Sequence, residues 1–119
     1  MKTFEDLKVY QHAFEFTVDI FSLTRNPPLT KNIANQLERA SLSISNNIAE
    51  GFESQSNRQF IRFLYVAKGS CGECRNLLAV ANRLNQIDSQ LHEKLKRETV
   101  GISKQLSNFI KYLRKSGIE

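Results

Sequence analysis

Apolar residues recur every three or four positions over four long stretches of this chain, the period of an α-helix with one face turned inward. In the first stretch Leu7, Phe14, Val18 and Phe21 share one face, and Val9, Phe16, Ile20 and Leu23 form a second stripe. This pattern predicts a helix buried on two sides. Thr3-Phe4-Glu5-Asp6 is expected to cap it, with acidic residues in the first turn where the helix dipole favours them. Asn26-Pro27-Pro28 is expected to end it, because proline disfavours helix in the residue before it. A second helix is predicted from about Thr30 to Phe52, with Ile33, Leu37, Ala40, Ile44 and Ile48 inward.

Gly51 and the polar run Glu53-Ser54-Gln55 mark a turn, and Ser56 with Gln59 reads as a capping box for a third helix. That helix carries Phe60, Leu64, Ala67, Cys71, Cys74, Leu78 and Ala81, spaced alternately four and three, which is a heptad seam. Asp88 or Ser89 opens a fourth helix with inner face Leu91, Leu95, Ile102, Leu106, Phe109 and Leu113, ending near Ser116-Gly117. Four helices with short links predict an all-α fold, an up-down-up-down antiparallel four-helix bundle in one domain over residues 1–119. The two apolar stripes of the first helix exceed what one bundle core covers, which favours self-association over the alternative of a helix wedged more deeply into its own bundle.

Composition narrows the class further. Two prolines, five glycines and no tryptophan suit helices better than a sandwich or barrel. No apolar run approaches the roughly 18 to 20 residues needed to cross a bilayer. The N-terminal MKTFEDLKVYQ lacks a signal-peptide core, so the expected compartment is the cytoplasm, where thiols stay reduced.

The only two cysteines form a C-x-x-C pair, Cys71-Gly72-Glu73-Cys74. A redox thiolate needs exposure and an electropositive site, and a zinc site would need two more ligands. Both cysteines fall on the inward seam of the third helix, so the pattern predicts core packing, with no metal and no cofactor. His12 and His92 lie on different helices without a Glu-x-x-His arrangement, which argues against a di-iron centre. There is no phosphate-binding glycine loop, and two isolated histidines do not make a nucleophile triad. The chain is therefore expected not to be an enzyme.

The second helix contains an unusually polar run from Arg39 to Gly51, in which Arg39, Ser43, Asn47 and Glu50 share a stripe beside the apolar seam. Folding the hairpin near Gln55 sets Arg39 opposite Glu73 and Glu50 opposite Arg62. Both are expected as interhelical ion pairs, with Ser43 and Ser70 allowing the helices to approach closely. Glu50, Asn47 and Glu73 could alternatively form an acid–base cluster, but each carboxylate has a cationic partner to hand.

Gln36-x-x-Arg39-Ala40-x-x-Ser43-Ile44-x-x-Asn47-Ile48-Ala49-Glu50-Gly51 resembles the signature of the four-helix-bundle proteins encoded in 23S rRNA intervening sequences. The resemblance continues through Phe60-Ile61-Arg62-Phe63-Leu64, Ala67, Gly69-Ser70 and Glu73, and includes Phe4-x-x-Leu7-x-Val9 near the start. It implies a bundle that assembles into a ring, commonly a homopentamer. The family includes basic accessory proteins of reverse transcriptases in diversity-generating retroelements, so a reverse transcriptase or a ribosomal component is an implied partner. Two departures stand out. Glu53-Ser54-Gln55 replaces the arginine common after the Glu-Gly, and Cys71 and Cys74 stand where leucines are usual.

The formal net charge is +5, and residues 89–118 hold it, with seven basic residues against Glu93 and Glu98. The rest of the chain has ten of each sign. On a helical wheel Lys94, Arg97, Lys104, Lys111 and Lys115 fall on the side opposite the core, together with Asn108 and Tyr112. Such a stripe suits a phosphate backbone, because neutralising phosphates releases counterions, and it carries no sequence specificity. It also suits an ordinary solvated helix face. The resemblance favours RNA or DNA as partner. The competing class is a protein-interaction scaffold, with the charge serving solubility or an acidic protein.

Overall fold

The computed structural model of the chain describes residues 3–25 and 29–116. Four helices account for most of them: α1 (Lys8–Thr24), α2 (Lys31–Phe52), α3 (Asn57–Arg83) and α4 (Ser89–Lys115). Each packs antiparallel against the next, and α4 returns against α1 to close the bundle. At 1.5 Å per residue the 27-residue α3 and α4 are each about 40 Å long, and they set the 48 Å long axis of the molecule.

The seams read from the sequence form the core. Phe60, Leu64, Ala67, Cys71, Cys74, Leu78 and Ala81 of α3 are all buried, as are Ile33, Leu37, Ala40, Ile44 and Ile48 of α2. From α4, Leu95, Ile102, Leu106 and Leu113 join them, while Leu91 and Phe109 pack at the edge. Cys71 and Cys74 are free thiols with no exposed surface. Burial pushes Cys71 up to about 11, with Arg75 and Lys68 pulling weakly the other way. Burial, aided by Cys71 and Glu73, pushes Cys74 up to about 12.

The first helix differs from expectation at its start. Phe4–Asp6 form a separate 3-10 turn, in which Asp6 Oδ2 accepts the Thr3 backbone N–H at 3.2 Å. Leu7 then adopts extended backbone with its side chain buried, and α1 begins one residue later without a side-chain cap. One stripe of α1 (Val9, Phe16, Ile20) is buried, but on the other Phe14 and Val18 remain 47% and 45% exposed. The expected stops at Asn26-Pro27-Pro28 and Gly117 lie outside the described residues.

The other helix ends follow local chemistry. Ser56 Oγ accepts the Gln59 N–H, and the Gln59 side chain reaches back to the Gln55 N–H rather than to Ser56. Asp88 caps α4 by accepting the Leu91 N–H at 2.7 Å. After α3, Asn85 takes the left-handed conformation (φ 61°), and Gln86 and Asn85 N–H bond back to Ala81 and Asn82 carbonyls. These two bonds make a Schellman stop, which asparagine tolerates better than most residues.

Gly51 is required by close approach. A Cβ there would stand 2.7 Å from Phe60 Cδ1 and 2.8 Å from Phe63 Cβ. The glycine lets the end of α2 sit directly on the first turns of α3. Phe52 and Phe60 meet edge to face beside it, 6.0 Å apart.

Candidate functional site

The antiparallel packing of α3 against α4 brings together cations that are remote in sequence. Lys68 and Arg75 are two helical turns apart on α3, and so lie on one side of it, flanking the buried seam. Lys104 and Lys111 are spaced alike on α4. All four line one groove of about 530 Å³, with Ser103, Ser107 and Asn108 supplying hydroxyls and an amide and Val100 the one apolar residue. Lys68 Nζ donates to Ser107 Oγ at 2.6 Å, joining the walls. None of the groove residues is acidic, and among the described residues none of the four cations has a carboxylate within 4.0 Å. The arrangement holds positive charge unneutralised beside neutral hydrogen-bonding groups, which is what an oxyanion needs.

Only part of the stripe read from the sequence enters this groove. Lys94, Arg97, Lys104, Lys111 and Lys115 are all exposed on α4, but Lys104 and Lys111 alone line the groove. Lys94, Arg97 and Lys115 extend the charge along the outer face. Asn108 lines the groove, whereas Tyr112 lies outside it, 58% exposed and stacked on Phe109. Lys68 and Arg75 were not singled out by the sequence reading. Their signal was the seven-residue spacing beside the α3 seam, matched by the same spacing on α4.

The predicted ion pairs are a correction. Arg39 and Glu73 line one groove between α2 and α3, and Glu50 and Arg62 line another, so each pair is brought to one side of the hairpin. Neither closes to within 4.0 Å. All four side chains are exposed, where Coulomb attraction barely exceeds the cost of ordering two long side chains. Ser43 instead holds the polar centre of the hairpin, accepting Ser70 Oγ–H at 2.8 Å and the Asn47 amide at 3.0 Å. Asn47 and Glu50 lie in one groove and Glu73 in the other, so the acid–base cluster is not assembled.

His12, isolated in the sequence, is not isolated in the fold. Its Nε2 is 2.8 Å from Glu98 Oε1 and its Nδ1 is 3.0 Å from Gln105 Nε2, both on α4. With Nε2–H donating to the carboxylate and the Gln105 amide donating to Nδ1, both ring nitrogens are engaged in holding α1 to α4. Gln105 Oε1 is buried without a partner. No three His, Cys, Asp or Glu side chains among the described residues are grouped so as to hold a metal ion. Among the same residues no helix is long and apolar enough to cross a membrane.

Comparison with known proteins matches both a protein family and solved structures. A family model described as 23S rRNA-intervening sequence protein matches residues 5–108. A crystal structure from Bacteroides thetaiotaomicron, of a protein of unknown function from the S23 ribosomal protein family, superposes with a TM-score of 0.81. It is 27% identical, and the match covers 87% of this chain and 98% of that one. No curated protein matches.

Proposed function

The chain belongs to the 23S rRNA-intervening sequence protein family, and on that premise we propose that it is a non-enzymatic, oligomeric protein that binds the backbone of RNA or DNA through α4 and the α3–α4 groove. The observation that carries this reading is the convergence of Lys68, Arg75, Lys104 and Lys111 on a groove with no acidic residue in its lining. A charge stripe that merely kept the protein soluble would have no reason to recruit cations from a second helix. Lys94, Arg97 and Lys115 extend the field along α4, so a polyanion longer than the groove would meet charge beyond it. The contacts are of the positioning kind and read no sequence.

Assembly is part of the same proposal. Phe14 and Val18 leave an apolar strip on α1 uncovered by the bundle, which supports self-association into a ring, with a homopentamer the family-based expectation. A ring would repeat the basic groove around its circumference and multiply weak phosphate contacts by avidity. The role that fits is an adaptor in a cytoplasmic ribonucleoprotein or reverse-transcriptase complex.

A second reading, a protein-interaction scaffold, is favoured by the α2–α3 groove of about 590 Å³ lined by Phe63, Val66, Asn47, Glu50 and Arg62, where Val66 is 53% exposed. Replacing Arg97, Lys104 and Lys111 together by glutamate separates the two. The nucleic-acid reading expects binding of a labelled oligonucleotide to be abolished while the helical circular dichroism is kept. Undiminished affinity in that variant refutes it.

A further inference from the structure

Resting on the nucleic-acid reading, we infer that the α3–α4 groove takes a single strand rather than a duplex, with phosphates between its walls and a base against Tyr65. The walls carry their cations in two rows: Lys68 and Arg75 on α3, Lys104 and Lys111 on α4, each pair about 10.5 Å apart along its helix. Lys68 and Arg75 are half-buried beside the groove, and Lys68 is tied to Ser107, so Lys68 stays between the helices instead of standing clear of them. A duplex is a stiff cylinder over about 150 base pairs and rests on the outer faces of helices, where Lys94, Arg97 and Lys115 stand exposed. A single strand bends freely and can lower its phosphates between the walls.

The second observation is aromatic. Three residues beyond Lys68 and Lys111, on the same two helices, Tyr65 and Arg114 meet across the groove line. Arg114 Nη2 donates to Tyr65 Oη at 2.9 Å, and its guanidinium lies over the ring at 5.6 Å from the centroid. Tyr65 is nevertheless 44% exposed. A charged groove ending in an exposed ring held by an arginine is the combination that binds single strands without reading sequence, since every unpaired base has a face to stack. A paired base in a duplex offers no such face.

The test is fluorescence anisotropy at about 50 mM salt, with a fluorescein-labelled oligouridine and a labelled mixed-sequence RNA duplex of equal length. Lys68→Gln with Arg75→Gln, and separately Tyr65→Leu, are compared with wild type after thermal melts verify the fold. The inference expects wild type to prefer the single strand. It expects each variant to lose about tenfold or more of single-strand affinity while duplex affinity changes less than about twofold. The double variant is also expected to lower the salt slope for the single strand by about 1.4. Equal losses for both probes, or undiminished single-strand affinity in both variants, overturn the inference and leave the wider reading standing. A wild-type protein that binds neither probe overturns both.

Discussion

Lys68 on α3 donates to the Ser107 hydroxyl on α4 at 2.6 Å, so a cation of the basic groove is positioned by a neutral oxygen and not by a carboxylate. Its charge is thereby aimed without being cancelled. A structural ion pair at this place would hold the helices together equally well and leave nothing to attract an anion. The contact is expected to matter little for stability, because a half-exposed lysine contributes at most about 1 kcal/mol through such a bond. Lys68→Met, which keeps the aliphatic stem, is predicted to unfold in urea within about 1 kcal/mol of wild type. A loss of about 3 kcal/mol or more would make Lys68 a structural residue.

Two of the three glycines of the α2–α3 hairpin, Gly51 and Gly69, make opposite predictions. Gly51→Ala places a methyl group 2.7 Å from Phe60 and 2.8 Å from Phe63, and overpacking of this kind costs about 1–3 kcal/mol. At Gly69 an added Cβ meets nothing within 4 Å, so alanine gains about 0.5–1 kcal/mol of helix stability. Urea midpoints of the two variants decide both. A destabilised Gly69→Ala would mean that another chain approaches α3 at that point.

The cysteines predict a particular pH dependence. Both thiols have folded values above their ordinary 9.0, about 11 for Cys71 and about 12 for Cys74. The fold therefore favours the protonated forms, and that contribution is fully present below pH 9. Above it the unfolded chain loses protons that the folded chain keeps, so stability falls by up to about 1.4 kcal/mol per pH unit for each thiol. Urea unfolding between pH 8 and 11, with Cys71→Ser/Cys74→Ser as reference, checks this. A wild-type profile that parallels the reference contradicts it. In the native protein neither thiol is expected to react with a maleimide at pH 7.5 on the timescale of an unfolded control.

His12 predicts coupling between α1 and α4. Removing it as His12→Ala leaves the half-buried Gln105 amide without its partner, in a residue whose Oε1 already lacks one, and a loss of about 1–3 kcal/mol follows. His12→Ala with Gln105→Leu leaves no such group and is expected to be less unstable than the sum of the single variants. Strict additivity in a double-mutant cycle would show that the contact is incidental.

Much of the fold was legible because its determinants are periodic. The α3 seam from Phe60 to Ala81 and the inner faces of α2 and α4 follow from spacing alone, as does the choice of Asp88 as a cap within one residue. The 3-10 turn at Phe4–Asp6 was not legible, because Thr3 and Asp6 make the same local bond in a turn as at a helix start. The candidate site was half legible. Lys104 and Lys111 lie on a visible stripe, but Lys68 and Arg75 join them only through tertiary packing. His12 meets partners 86 and 93 residues away, which no local pattern encodes. The pairs Arg39–Glu73 and Glu50–Arg62 show the converse limit. The hairpin places them on common grooves, but facing one another in water does not close an ion pair.

The central claim, that this bundle binds a nucleic-acid backbone through unneutralised cations, is tested most directly by a salt titration of wild-type binding. A labelled single-stranded oligonucleotide is titrated at a series of salt concentrations from about 50 to 200 mM. The account predicts binding at low salt that weakens linearly in log–log form. With four groove cations engaged, the slope is expected near −2.8, at about −0.7 per phosphate neutralised. Binding that is absent at low salt, or that does not change across the series, would contradict it.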